Sequence, residues 1–245
     1  MSLSSDEIER YDRQLRVWSR EEQLKLRNSS VLVVGVGGLG SPVALYLTAM
    51  GVGKLILVDD GVLELSNMNR QILYTTKDLG KPKVYVAAER LRQLNPNVEV
   101  EPIKARLDEK LASELVQRVD VVVDALDNWE SRLILNRACV EHRKPLVHAG
   151  VEGWYGQLMT VIPGKTPCLN CIMPAPPPPR DTPLPIVPTT PGLLGVLEAN
   201  EVVKLIIKGR SSFEGRMLVY DGLRGEFTVI ELKRNPNCPV CGGLD

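Results

Sequence analysis

Four of the five cysteines stand in two C-x-x-C pairs, Cys168 with Cys171 and Cys238 with Cys241. Two such knuckles that meet in space close a tetrahedral Zn²⁺ site, coordinatively full and therefore structural. Pro167, Pro239, Gly242 and Gly243 flank them and permit the tight turns that knuckles need. Two disulfides would need a secretory setting, and a thioredoxin-type redox pair would need a different surrounding fold. Cys139, the fifth, is expected inside a helix beside Leu135 as a buried, inert thiol. His142 and His148 lack metal spacing, and each is expected to be solvated or hydrogen-bonded.

Gly35, Gly37 and Gly40 satisfy G-x-G-x-x-G. The first glycine allows a tight turn, the second lets backbone approach a phosphate, and the third lets a helix pack on a sheet. The helix that follows offers free N–H groups and a positive dipole end to an anion. Asp59 follows Gly40 at about the 20-residue spacing of an acid that takes a ribose hydroxyl. The motif alone leaves the nucleotide open, with NAD the usual occupant. No Walker A sequence is present, since Gly164, Lys165 and Thr166 lack the upstream glycine and a following helix. If ATP binds, its phosphates need other cations. Arg70 follows Ser66, Asn67, Met68 and Asn69 and precedes Gln71; Lys83 follows Gly80 and Pro82; Arg13 lies in an N-terminal arm. Asp127 and Asn128 come just after an apolar strand, at the edge where such sheets bind ligands. A carboxylate there suits Mg²⁺, which takes one or two carboxylates and keeps several waters.

The elements that must position these groups are legible in the pattern. Strands are expected at 31–34, 54–58, 98–103, 119–124 and 145–149, alternating with helices at 41–50, 84–94, 111–118 and 131–142. That alternation predicts an α/β fold, a doubly wound, Rossmann-like, mostly parallel sheet with helices on both faces. After residue 150 the pattern changes to short strands at 157–162, 217–220 and 227–232, expected to be antiparallel, with a helix at 193–208. The stretch 174–191 holds half of the 18 prolines and is expected to be extended and loosely packed. Residues 5–27 have roughly helical spacing with a break near Ser19, read as a solvated surface helix or as an arm lying on a partner subunit. The divisions are therefore 1–28, a helical arm; 29–165, a nucleotide-binding region; and 166–245, the crossover loop, helix, antiparallel strands and zinc site.

With 245 residues the chain can bury a core without disulfides. Aromatic residues are only 4%, so that core must be built from Val, Leu, Ile and Ala, as suits a buried parallel sheet. Lys and Arg number 30 against 30 Asp and Glu, which gives no footprint for nucleic acid or an anionic membrane. No apolar run reaches the length of a membrane span, and the polar N-terminus is no signal peptide. A cytoplasmic location is the expectation.

Tyr11 to Leu15, the glycine loop 35–40, Asp59, the run from Ser66 to Gln71, Gly80 with Pro82 and Lys83, Asp127 with Asn128, and the paired cysteines together resemble the ubiquitin-activating-enzyme superfamily. The nearest branch is the ThiF/MoeB/HesA adenylyltransferases, and the resemblance spans residues 5–241. It implies one adenylation domain that binds Mg·ATP and a small ubiquitin-fold (β-grasp) protein ending in Gly-Gly. The terminal carboxylate attacks the α-phosphate, giving an acyl-adenylate and pyrophosphate. Gly38 matches the glycine loop and Asp59 the ribose contact. Asn69, Arg70 and Lys83 match the phosphate clamp, and Asp127 the Mg²⁺ carboxylate. Arg13 matches an arginine donated by a partner subunit, which implies a homodimer. The chain departs from many relatives in having no cysteine between Arg180 and Gly192; only Thr182, Thr189 and Thr190 offer hydroxyls, poor nucleophiles without a base. Adenylation without a loop thioester is therefore expected, with the product passed to a sulfurtransferase or a conjugating protein. Gly61 also stands where relatives often carry a second acid. Residues 11–18 resemble the opening of eukaryotic-type activating enzymes, which leans towards protein tagging. The competing readings are adenylation of a non-protein carboxylate, a non-catalytic scaffolding subunit of an activating heterodimer, and a NAD-dependent oxidoreductase.

Overall fold

The structure, a computed structural model, describes residues 2–178 and 182–244. Met1, Pro179, Arg180, Asp181 and Asp245 lie outside it, and with them the first two residues of the crossover loop and the outer ends of the first and third divisions. The apolar runs form β1 (Ser30–Val34), β2 (Lys54–Val58), β4 (Val121–Asp124) and β5 (Leu146–Glu152), largely buried on both faces, while β3 (Glu99–Ile103) is a half-buried edge strand. Three more strands follow, β6 (Tyr155–Val161), β7 (Arg216–Asp221) and β8 (Glu226–Glu231), and all eight form one sheet in the order β3-β2-β1-β4-β5-β6-β7-β8. Pairing is parallel from β3 across to β5 and antiparallel from β5 to β8.

The helices among the described residues are α1 (Ser5–Arg10), α2 (Arg20–Arg27), α3 (Gly40–Met50), α4 (Lys83–Leu94), α5 (Glu109–Gln117), α6 (Trp129–Glu141), α7 (Leu169–Ile172) and α8 (Thr189–Lys208). Helices α3, α4 and α8 bury their apolar stripes against one face of the sheet, packing on Val31, Val33, Leu55, Leu57 and Val123. Helices α5, α6 and α7 cover the other face over Leu32, Val34, Ile56 and Val122. Among the described residues no helix is long and apolar enough to cross a membrane.

The alternation of strand and helix predicted from sequence is present, with element ends moved by a few residues. One expectation is corrected. The Pro-rich stretch is not loose to its end. Helix α8 begins at Thr189, four residues before the predicted start, so Thr190 and Pro191 are buried in its first turn. Proline is compatible with that turn because its missing N–H would have no helical partner there. Just upstream, Gly153 N–H donates to Pro185 O (2.7 Å) and Val187 N–H to Gly153 O (3.1 Å), which fastens the loop to the β5–β6 turn.

The N-terminal arm is exposed along much of its length, as a surface helix would be, and packs its remaining side chains on its own chain. The Tyr11 hydroxyl accepts from Asn95 Nδ2 (2.9 Å), while Gln14 and Gln23 donate to Met50 O, each at 2.9 Å. Gly51 admits this packing, since a β-carbon there would lie 2.4 Å from the Tyr11 hydroxyl.

Candidate nucleotide and metal sites

Strand order reverses between β1 and β4, the switch point at which a doubly wound sheet opens a crevice beyond its carboxyl ends. Two loops leave that point side by side, 35–40 from β1 and 125–128 from β4. They touch so closely that a β-carbon on Gly35 would lie 2.5 Å from Ala125 O. Gly35 has φ +90°, a left-handed conformation open to glycine at little strain.

The backbone of Val36, in the glycine loop, is held on both sides of its α-carbon. Its N–H donates to Asp59 Oδ2 (2.9 Å), and its carbonyl accepts from the Tyr74 hydroxyl (2.8 Å). Asp59 Oδ1 accepts from Gly61 N–H (2.8 Å). Each carboxylate oxygen keeps a free lone pair for a ribose hydroxyl. Burial, with the Asp59 charge adding to it, pushes the Tyr74 hydroxyl far up, so it stays a donor at any working pH. Tyr74 was not singled out from sequence; an isolated tyrosine beside the Ser66–Gln71 run carries no periodic signal.

Of the predicted cations, Arg70 lies against this loop and Lys83 beside the Asp59 that holds it, while Arg13 lies elsewhere. A β-carbon at Gly38 would meet Pro191 at 3.3 Å and Arg70 Cγ at 3.5 Å, so the Arg70 stem and the start of α8 both lie against the glycine loop. Arg70 Nη1 donates to Ser66 O (2.8 Å) and Asn69 Oδ1 (3.1 Å). Gln71 is buried with Nε2 facing Gly37, and its Oε1 has no hydrogen-bond partner. A β-carbon at Gly61 would lie 2.9 Å from Asp59 Oδ1 and 3.0 Å from Lys83 Nζ. Glycine at 61 is thus what lets the Lys83 ammonium lie beside Asp59. Ser66 is exposed and donates to Glu64 Oε2 (3.3 Å), while buried Asn67 accepts from Glu64 N–H (3.1 Å) and so shapes the turn from within.

Asp127 is exposed, and Asn128 Nδ2 donates to it at a long 3.4 Å. Asn128 also caps α6, accepting from Ser131 N–H (2.9 Å). Beneath this turn lie groups the sequence reading passed over: Asp124 and Arg132 are buried, as is Glu198 from α8. Their one sequence signal is the placing of a charge within an otherwise apolar strand or helix.

Arg13 is not brought to the crevice of its own chain. Its side chain is 92% exposed, on an arm anchored at the far end of α3. At about 1.5 Å per residue, the length of α3 separates that anchor from the glycine loop by about 15 Å.

The four paired cysteines do meet. All their sulfur atoms lie within 4.8 Å of one another, with Cys168 to Cys238 at 3.7 Å and Cys171 to Cys241 at 3.4 Å. A disulfide needs about 2.05 Å, whereas four sulfurs around a tetrahedral ion at ~2.3 Å stand about 3.8 Å apart. The cluster can hold a metal ion. Asn136 of α6 fixes the first knuckle by accepting from Leu169 N–H (3.0 Å) and donating to Asn170 Oδ1 (2.9 Å). Arg234 fixes the second by donating to the carbonyls of Cys241 and Leu244. Cys139 is fully buried, and burial pushes its thiol well up, as an inert core residue requires. His142 bonds Ser113 Oγ (2.8 Å), and His148 bonds Asp124.

A doubly wound sheet with a glycine-loop crevice at its switch point and a four-cysteine cluster behind it defines a class of nucleotide-binding α/β proteins. Within that class the chain belongs to the ThiF family, whose family model matches residues 11–240. It is 40% identical to the SAMP-activating enzyme E1 of Haloferax volcanii, over 100% of this chain and 93% of that protein. It is also 40% identical to the sulfur carrier protein adenylyltransferase of Thermus thermophilus, over 99% and 93%. Adenylyltransferase and sulfurtransferase MOCS3 of Bos taurus is 43% identical, with 98% of this chain matching 54% of that longer protein. Among solved structures, E. coli MccB with ATP superimposes with a TM-score of 0.86 at 24% identity, covering 98% of this chain and 75% of that one, a likeness of fold.

Proposed function

We propose that the protein adenylates the C-terminal glycine of a small ubiquitin-fold or sulfur-carrier protein, using Mg·ATP. The observation that carries this reading is Arg70 and Asp59 against one glycine loop, Lys83 beside Asp59, and the Asp127 carboxylate on the abutting loop. The relatives named for adenylylation or for activating a SAMP support it, and so does the absence of any other use for two cations at a dinucleotide-like loop.

The chemistry needs little beyond position and charge. A carboxylate oxygen of the carrier forms a bond to the α-phosphorus, and the bond from that phosphorus to the bridging oxygen breaks, releasing pyrophosphate. No base is required, because the carboxylate is already ionised at neutral pH. Two anions must approach, so the groups that offset their repulsion and the charge growing on the phosphorus determine the rate. Arg70 and Lys83 would hold the phosphates, assisted by Asn69, Gln71 and the amides of Gly37 and Gly38. Asp59 would hold the ribose. Asp127, exposed and without a cationic partner among the described residues, fits a hydrated Mg²⁺, which supplies charge neutralisation to the phosphates when bound. The cysteine cluster fits Zn²⁺ and would serve structure alone.

Arg13 acts in a homodimer. Its distance from its own crevice leaves a partner subunit's crevice as the one it can serve. The whole chain works as one adenylation unit, a reading supported by the single sheet that runs through the boundary at 165. Five unbridged cysteines suit a cytoplasmic setting. The buried Thr190 hydroxyl, bonded to Gly153 O at 3.1 Å, offers no thioester substitute, so the adenylate passes to an external sulfurtransferase or conjugating protein.

The test is ATP–pyrophosphate exchange. Exchange should appear with Mg²⁺ and a β-grasp protein ending in Gly-Gly, and vanish when that tail is removed. Exchange that is absent with every such carrier, or indifferent to the tail, would overturn the proposal.

A further inference from the structure

The turn that presents Asp127 hangs on the backbone of one residue, Leu126. Leu126 N–H donates to Asp124 Oδ1 (3.1 Å), and Leu126 O accepts from Arg132 Nη2. Both holding groups are buried side chains, and each is itself held. Arg132 lies 5.3 Å over the Trp129 ring, with Nε 3.8 Å from Asp124 Oδ1. Gly150 leaves room for its guanidinium, since a β-carbon there would lie 3.0 Å from Nη1. Asp124 Oδ2 meets His148 Nδ1 at 2.7 Å, with neither side chain exposed. The two residues are register partners on adjacent parallel strands, Asp124 of β4 opposite His148 of β5, so the contact is set by the sheet.

The chain of donors runs in one direction. Gln157 Nε2 of β6 stands 3.4 Å from His148 Nε2. With that amide donating, His148 is a neutral ring carrying its proton on Nδ1, and Nδ1–H donates to Asp124. Asp124 then has Oδ1 free to fix Leu126. A carboxylate without this partner would turn towards the Arg132 guanidinium, and the Leu126 N–H would lose its acceptor.

We infer that His148 is a positioning residue for the candidate metal-binding carboxylate, acting through Asp124 and the Leu126 backbone to fix where Asp127 points. This rests on the reading of Asp127 given above. His148 is fully buried and reaches Asp127 only through Asp124 and the Leu126 backbone; groups that orient metal ligands from behind govern affinity by about 10–100-fold when removed.

Two isosteres separate position from bulk. In His148→Asn the amide nitrogen falls near the place of Nδ1 and can still donate to Asp124, whereas in His148→Gln it falls near Nε2 and cannot. Mn²⁺ binding to the protein–ATP complex is read from loss of the free-ion paramagnetic signal, and the Mg²⁺ concentration for half-maximal exchange is read alongside. His148→Gln should weaken Mn²⁺ binding tenfold or more and raise the Mg²⁺ requirement by a like factor, leaving metal-free ATP affinity within about twofold. His148→Asn should stay within about threefold of the parent in both. Equal metal affinity in parent and Gln variant, or equal loss in both variants, overturns this inference alone. A parent protein that holds no Mn·ATP overturns the adenylation reading and this one together.

Discussion

A β-carbon added to Gly35 would stand 2.5 Å from the carbonyl oxygen of Ala125, closer than any real contact of that kind. The two loops that form the crevice are therefore spaced by the lack of a side chain at this position. Gly35→Ala must push them apart and also hold alanine at φ +90°. The expected outcome is a loss of about 1–3 kcal/mol in unfolding free energy and a nucleotide affinity reduced at least tenfold, checked by denaturant unfolding and by calorimetric titration with ATP.

Arg13 and Asp127 should complement each other between subunits. Asp127 is exposed, so Asp127→Ala should leave stability within about 0.5 kcal/mol while exchange falls by two orders of magnitude or more. Arg13→Ala should lower exchange at least tenfold. A mixture of the two variants should recover up to a quarter of parental activity, because one crevice of the mixed dimer is intact. No recovery after subunit exchange would place the arginine's action elsewhere.

Glu198 should make the protein less stable as pH rises. It is fully buried, and neither oxygen makes a well-formed hydrogen bond among the described residues, the Ala149 backbone compensating it only in small part. Burial, reinforced by Asp124, pushes its carboxyl well above the ordinary value, so the native state keeps a proton that the unfolded chain gives up. The native state then binds more protons than the unfolded one, and stability falls by about 1.4 kcal/mol per pH unit above the ordinary carboxyl value, up to the raised one. His148 works in the opposite sense, since burial holds it below its ordinary value despite Asp124. His148 is common to both proteins, so in urea unfolding Glu198→Gln should gain on the parent as pH rises above the ordinary carboxyl range; parallel pH profiles would show that the carboxyl is already ionised.

Metal removal should loosen the C-terminal half and spare the crevice. The cysteine cluster joins residues 168–171 to 238–241, and the intervening loop closure is long. Prolonged chelation should release one zinc per chain and lower the melting temperature by several degrees. ATP affinity, read on the chelated protein at low temperature, should change by less than threefold. A protein purified with no zinc and an unchanged melt would remove the metal from the account.

The sequence by itself determined the strands, since runs such as 31–34, 54–58 and 121–124 are apolar enough to be buried on both faces wherever they pair. It also determined the glycine loop and the two cysteine knuckles, because there the chemistry lies in residue types a few positions apart. Beyond that, position depended on which strands became neighbours. Asp124 and His148 are far apart in the chain, and only the pairing of β4 with β5 sets them side by side. The early start of α8 was hidden because four of its first residues read as loop, until Pro191 found a surface on Gly38. The N-terminal arm had helical spacing but no signal naming its partner; the cleft above Gly51, made by α3 and α4, supplied one. Local patterns encode what a segment becomes, while long-range contacts, which depend on every intervening element, decide what it touches.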